Sequence, residues 1–277
     1  MDNNIPELNE VLLQLIKSLN ENSIQSPTLI GGQALSFWAN HYLSSSLSKE
    51  QNYQLATQDI DFLGNRSDVV QAAKIWGSKL KLPSIDDNTA CSGLIFVDDI
   101  VENQHFTDEY GNSEPVLVDY LSYLHGVPDK LLKRGVDTVI LREGFEIKII
   151  NPALCLISRL NNLYSLGYGK YKKEREVIRI IIAINITKNY FNDLLEHPCQ
   201  RRKALNIASL ILDTANKHWC LNLCVRYTLD LLRAIPAQNP NFGERFKNGH
   251  YLAMKEKINS RKDSKYKKIQ NANTKSI

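Results

Sequence analysis

The stretch TQDIDFLG, Thr57 to Gly64, places two aspartates, Asp59 and Asp61, inside an otherwise apolar run that predicts a β-strand. Side chains of a strand alternate between its faces, so both carboxylates are expected on one face, about 7 Å apart at their roots. Burying unpaired charges is costly. Mg²⁺ prefers carboxylate oxygens, and a bound cation would explain the pair. Aspartates that terminate turns or cap helices are the alternative interpretation.

Two further segments allow the same choice between a ligand-binding role and a structural role. LIGGQAL, residues 29–35, predicts a strand that ends in Gly31 and Gly32 and leads at once into a helix. Such a turn brings backbone N–H groups and a helix N-terminus close to an anionic ligand. PVLVDYLSYL, residues 115–124, places Asp119 in a strand-like run. Taken singly, the glycines are also explained by a tight turn, and Asp119 by an edge strand or a strand end.

The pattern of the whole chain changes at Asn151-Pro152. Before it, strand-like and helical segments alternate, with a polar loop predicted over 44–56 and a β-hairpin over 136–150. After it, helical periodicity continues to about residue 235. We therefore predict an α+β (α/β) domain over 1–150 and a helical domain over 151–255. The basic, polar residues 256–277 predict a frayed helix that passes into disorder.

Composition limits the class of protein. The 277 residues are 43% hydrophobic with a net charge of +4, which is typical of a soluble globular chain. Five scattered cysteines indicate a reducing compartment, and no signal peptide or membrane-spanning run is evident, so a cytoplasmic protein is expected. The chain contains no G-x-x-x-x-G-K-[ST], H-E-x-x-H or G-x-S-x-G motif. P-loop ATPases, zincins and α/β-hydrolases are therefore poor candidates.

GGQAL, TQDIDFLG and LVDYL, in this order, resemble the motifs of the nucleotidyltransferase superfamily of DNA polymerase β. The set is most similar to the small bacterial group that includes the AbiEii and MenT toxins. NPALCLISRLNNL, residues 151–163, resembles the segment that opens the helical part in that group. The resemblance covers roughly residues 25–165. It implies a mixed β-sheet flanked by helices and followed by a C-terminal helical bundle.

The resemblance also implies roles for particular residues. Gly31, Gly32 and Gln33 would bind the phosphates of an NTP such as ATP, with Arg159 as a further nucleotide contact. The catalytic and metal-binding residues would be Asp59, Asp61 and Asp119, which would hold Mg²⁺ or Mn²⁺, and Asp119 is alternatively the general base. The implied reaction transfers an NMP to a hydroxyl acceptor and releases pyrophosphate.

Several departures from the family pattern keep other interpretations open. Gly32 replaces a serine, Arg159 stands where a lysine is more frequent, and the segment before Asp59 is longer than in compact relatives. A surface helix residue is the alternative for Arg159. RNA or tRNA is favoured as acceptor because basic runs occur in the helical half, and a toxin with a cognate antitoxin protein is the implied setting. The alternatives are an inactive nucleotide- or protein-binding module and an antibiotic nucleotidyltransferase.

Overall fold

The computed structural model describes residues 10–22, 24, 27–57, 59–84, 86–87, 89–97, 106–107, 113–141, 144–167 and 169–274. These residues form two compact units, Met1–Ser158 and Arg159–Ile277, and each is described by itself. The boundary lies within one helix, at a position close to the predicted change at 150. None of the helices in the described ranges has both the length and the apolar character needed to cross a lipid bilayer.

The first unit contains a mixed seven-stranded sheet with the strand order β3-β4-β7-β2-β1-β9-β8. Parallel pairs join β2 to β7 and β1 to β9, and the other neighbours are antiparallel. A separate two-stranded ladder pairs β5 with β6. The strands are β1 Thr28–Leu29, β2 Ile60–Leu63, β3 Lys79–Lys81, β4 Cys91–Val97, β5 Phe106–Thr107, β6 Ser113–Glu114, β7 Val116–Leu121, β8 Val136–Ile140 and β9 Glu146–Ile150.

Five helices precede or connect these strands, and a sixth leads into the second unit. They are α1 Glu10–Glu21, α2 Gly31–Leu43, α3 Lys49–Leu55, α4 Arg66–Ile75, α5 Asp129–Leu132 and α6 Pro152–Ser165. Helix α2 packs against β2, while α4 packs against β4 and α1. The sheet supplies much of the core, because alternate residues of its central strands, such as Phe62, Val118 and Ile149, are fully buried.

The second unit is helical. It comprises the end of α6, then α7 Lys170–Glu196, α8 Arg201–Ala215, α9 His218–Arg226 and α10 Leu252–Thr274, with short 3-10 and π segments between them. The long helix α7 contributes a buried face of isoleucines and aromatic residues. Phe191 of this face lies 6.0 Å, centroid to centroid, from the ring of Phe242. Helix α10 contacts α8 and α9.

Most of the predicted architecture is confirmed. The mixed sheet flanked by helices, the strand–Gly-Gly–helix order at residues 28–43, the hairpin of β8 and β9 and the helical C-terminal half are all present. Residues 1–9 lie outside the described ranges. Arg142 and Glu143, in the predicted hairpin turn, also lie outside them.

One prediction is wrong. The predicted loop over 44–56 contains α3, because Ser48 and Gln51 form a reciprocal capping box and Leu55 is buried at the end of the helix. The helix predicted in the basic segment 256–277 is present as part of α10, which is helical as far as residue 274. Ile258 is buried, and Arg261 donates hydrogen bonds to Asn216, so tertiary contacts stabilise this polar helix.

Candidate active site: an acidic strand pair beside a glycine turn

Strand β2 alternates between core and site residues. Ile60 and Phe62 are 2% and 0% exposed and pack in the core, whereas Asp61 is half-buried on the opposite face. Asp59 lies one residue before the strand begins and is exposed. The alternation therefore presents Asp61 on a rigid strand, while Asp59 belongs to the segment that leads into it.

Asp61 and Asp119 are register partners on the adjacent parallel strands β2 and β7. Residues that pair across neighbouring strands share a face, and such strands lie about 4.8 Å apart. The structure thus brings together two of the three predicted acids, which are distant in sequence. Two like charges placed side by side disfavour folding unless protons or cations compensate them.

The environment of Asp119 stabilises its protonated form. Burial raises the pKa of its carboxyl, and the charge of Asp59 raises that pKa further, whereas a hydrogen bond with the Cys91 thiol acts in the opposite direction. Its Oδ1 atom is buried and has no hydrogen-bond partner among the residues that the structure describes. Burial, followed by the charge of Asp119, raises the pKa of the Cys91 thiol to about 11. A buried, unsatisfied carboxylate oxygen is expensive and is frequent at functional sites.

At Gly31 the backbone passes close to the Asp61 carboxylate. Its φ is +65°, and a Cβ atom built on it would lie 1.8 Å from Oδ2 of Asp61 and 2.6 Å from Cγ. The amide N of Ile30 donates to the carbonyl O of Asp61 at 2.9 Å, which holds the two segments together. Helix α2 begins at Gly31, and the side chain of its N-cap residue, Ile30, makes no capping hydrogen bond. The first-turn amides therefore lie beside an acidic strand and remain suited to phosphate.

Gly32 and Gln33 both contact Thr57, just before Asp59. A Cβ on Gly32 would lie 2.7 Å from Cγ2 of Thr57. Gln33 is 8% exposed, and its Nε2 atom donates to the carbonyl O of Thr57 at 2.9 Å. In the structure these two residues hold the segment that leads into β2, and the contact of Gln33 with a nucleotide stays a prediction.

Arg159 lies in the second unit. Its Nη1 atom and the Nη1 atom of Arg179 each lie 3.1 Å from Oε1 of Glu176. All three residues are buried, so the alternative of a surface helix residue is wrong for Arg159. Burial and the nearby charge of Arg159 lower the pKa of Arg179 to about 10.

The acidic site fits a magnesium ion of the kind that shares its ligands with a substrate. Among the described residues, no group of three or more His, Cys, Asp or Glu side chains is arranged to hold a metal by itself. Mg²⁺, however, is usually bound by one or two carboxylates together with substrate phosphates and water. Asp61 and Asp119 supply carboxylate oxygens of this type, and one of them, Oδ1 of Asp119, has no hydrogen-bond partner among the described residues.

Sequence reasoning missed two residues of the site. Cys91 reaches Asp119 because β4 pairs with β7, with a register irregularity between Cys91 and Gly93, and no local pattern indicates that pairing. Thr57 is the first residue of the motif TQDIDFLG. Thr57 contacts α2 because the fold brings it next to Gly32 and Gln33, and no local sequence pattern predicts that approach.

Sequence comparisons identify no relative of the chain. No family model matches it, and no curated protein does. One solved structure, an antigenic nucleotidyltransferase-like protein from Paracoccidioides brasiliensis, is similar with a TM-score of 0.40 and 15% sequence identity. The similarity covers 71% of this chain and 90% of that chain.

Proposed function

We propose that the chain is a Mg²⁺-dependent nucleotidyltransferase that moves an NMP from an NTP to a hydroxyl acceptor. One observation carries the proposal. Asp61 and Asp119 are register partners, and the Asp61 carboxylate lies against a glycine that starts a helix whose N-cap side chain makes no capping hydrogen bond. Acidic oxygens for a cation and backbone amides for phosphate thus meet at one place, in agreement with the order of motifs in the sequence.

Each element has a role in this proposal. Asp61 and Asp119, with Asp59 from the preceding segment, would hold Mg²⁺, or Mn²⁺ in its place. When bound, the ion would neutralise phosphate charge and orient the triphosphate. Gly31, Gly32 and the first turn of α2 would contact phosphate oxygens. Phosphoryl transfer needs mainly such positioning and charge stabilisation, so few further groups are required.

Asp119 is suited to accept a proton. The acceptor oxygen forms a bond to the α-phosphorus, the bond from that phosphorus to the bridging oxygen breaks, and pyrophosphate leaves. In its alternative role as general base, Asp119 would take the proton of the acceptor hydroxyl on Oδ1, which has no hydrogen-bond partner among the described residues, and Asp59 and Asp61 would then hold the cation. A carboxyl whose pKa is raised by burial is a better base than an ordinary one.

RNA, with tRNA as the particular case, is the acceptor that we favour. The second unit exposes cationic side chains at Lys170, Lys172, Arg201, Arg202 and along α10. Such groups bind phosphates in a salt-dependent way. Glu174 and Glu256 interrupt these runs, so a solvated helix face remains the simplest alternative. The toxin role and the antitoxin partner depend on the motif resemblance, and the cytoplasmic location depends on the scattered cysteines and on the lack of an evident signal peptide.

The proposal is tested by incubating the protein with each labelled NTP, Mg²⁺ and total RNA. We expect transfer of label to RNA and equimolar release of pyrophosphate. Asp61→Asn should abolish both, whereas Asp213→Asn, at an exposed position of α8, should change neither. Expression of the wild type and of Asp61→Asn in cells tests the toxin role. Equal activity of the two aspartate variants would refute the catalytic assignment.

A nucleotide-binding module without turnover is the second candidate. It is favoured by Gly32, which lacks a hydroxyl, and by the absence of a ready three-ligand metal group in the described ranges. Calorimetry distinguishes the two candidates, because NTP would bind without release of pyrophosphate. A small-molecule acceptor, as in antibiotic modification, is distinguished by transfer of label to a molecule other than RNA.

A further inference from the structure

The second unit holds a cavity of about 480 Å³ between α9 and α10. Its volume is within the range of small-ligand pockets. The residues that line it are Asn222, Val225 and Arg226 of α9 and Lys265 and Tyr266 of α10. Two of these side chains are cationic, none is acidic, and none belongs to the acidic site of the first unit. The cavity therefore favours an anionic ligand.

Lys265 brings an ammonium group to this cavity, and contacts with α9 set its position. Its Nζ atom donates to Oδ1 of Asn222 at 2.6 Å and lies 3.1 Å from Nε2 of His218. An ammonium group has three N–H donors, so at least one remains for a ligand. Lys265 makes no ion pair with the residues that the structure describes. Its positive charge is thus held in place without a neighbouring carboxylate.

Arg226 supplies the second positive charge. Asn222 and Arg226 are four residues apart on α9, so their side chains are neighbours on one face of the helix. Because Asn222 is bound to Lys265, the guanidinium and ammonium groups border the same part of the groove. Arg226 is exposed, stands over the ring of Tyr227 and makes no ion pair within the described ranges. Two cations without counter-charges suit a phosphate group.

Tyr266 and Val225 give the cavity an apolar side. Val225 is buried, whereas Tyr266 is 39% exposed, so part of its ring is open to a ligand. An accessible aromatic ring beside positive charges is the arrangement on which nucleobases stack, whatever the base. An aliphatic acid would use the charges without the ring. The combination therefore favours a ligand that carries both a phosphate and a flat ring.

We propose that this cavity binds a nucleoside monophosphate group. Its phosphate would contact Arg226 and Lys265, and its base would stack on Tyr266 and pack against Val225. Such a group occurs as a free nucleotide and as one residue of a single-stranded RNA. The site is additional to the proposed NTP site at Gly31. It requires neither Mg²⁺ nor the aspartates, so it stands even if the transfer reaction is not found.

Titrations of the full chain without Mg²⁺ test the proposal. The ligands are AMP, GMP, CMP and UMP, followed by calorimetry, and a short labelled single-stranded RNA, followed by fluorescence anisotropy. We expect a mononucleotide or the RNA to bind. The nucleoside without phosphate, inorganic phosphate and an abasic strand should each bind at least tenfold more weakly than their counterparts. Binding of a mononucleotide identifies a free ligand, and binding of RNA alone identifies a strand.

Substitutions separate the two contacts. Arg226→Met should weaken binding about tenfold, because a charge-assisted hydrogen bond to phosphate is lost. Tyr266→Leu should weaken it about fivefold or more, because the stacking surface is lost. Lys188→Met, at an exposed position of α7, and Tyr53→Leu, 68% exposed on α3, are the matched controls and should leave binding unchanged.

Amide chemical shifts of the wild type locate the site without any substitution. The ligand that binds should shift the amides of Asn222, Arg226 and Tyr266 and leave those of β8 unchanged. The proposal is overturned if neither a mononucleotide nor the RNA binds, or if Tyr266→Leu, folded by circular dichroism, binds as well as the wild type. Equal binding of the nucleoside, or shifts confined to Gly31 and its neighbours, would also overturn it.

Discussion

The contact between Gly31 and Asp61 allows the geometry of the candidate site to be tested by stability alone. Gly31→Ala has two costs. Alanine at a φ of +65° costs about 1–2 kcal/mol, and its Cβ, 1.8 Å from Oδ2 of Asp61, forces a displacement that costs about 1–3 kcal/mol. The free energy of unfolding should therefore fall by about 2–5 kcal/mol.

Gly77→Ala is the matched control. Gly77 has a φ of +59°, and a Cβ there would meet nothing within 4 Å, so only the backbone cost of about 1–2 kcal/mol applies. Both glycines lie in the first unit. Each Gly→Ala change also lowers the conformational entropy of the unfolded chain by a similar amount, so this stabilising effect cancels when the two variants are compared. Urea unfolding followed by tryptophan fluorescence measures the difference. If the two variants agree within about 0.5 kcal/mol, the Asp61 carboxylate does not lie against Gly31.

Three further predictions concern ionisable side chains that the fold buries wholly or in part. The pKa of Asp119 is raised above its ordinary value of 3.8, so the protonated carboxyl favours the folded state at low pH, and this contribution is lost as pH rises through the folded pKa. The free energy of unfolding of Asp119→Asn, relative to that of the wild type, should therefore rise between pH 4 and 7. Urea titrations measure this difference, and an opposite trend would contradict the raised pKa. Because the pKa of the Cys91 thiol is raised, iodoacetamide should modify Cys91 far more slowly than the exposed Cys199 at pH 8, as peptide mass spectrometry can measure. Asp119→Asn removes a neighbouring negative charge and should reduce the difference between the two modification rates. Equal rates in the wild type would show that Cys91 is not shielded. Glu176→Gln removes the carboxylate that two buried guanidinium groups contact and should lower the free energy of unfolding by about 3–5 kcal/mol. Glu174→Gln, at an exposed position, should lower it by less than about 0.5 kcal/mol, and similar values for both variants in urea unfolding would disprove the buried ion pair.

Local patterns sufficed to predict individual elements. Alternation in DIDFL predicted a strand with Asp61 opposite Phe62, and Gly31 and Gly32 predicted a turn into a helix; both are present. Local patterns failed where stability comes from tertiary contacts. Helix α10 is too polar for its extent to be predicted from periodicity, and it forms because one side of it packs against the rest of its unit.

The sequence by itself determined which residue types were available for a site and in which local conformations they occur, since strand alternation and glycine flexibility act over a few residues. Only the tertiary structure decided that Asp61 stands beside Asp119, that Cys91 reaches the same carboxyl, and that Arg159 is buried against Glu176. Strand order and register arise from the packing of the whole unit, and a one-residue shift of β7 would turn Asp119 to the opposite face.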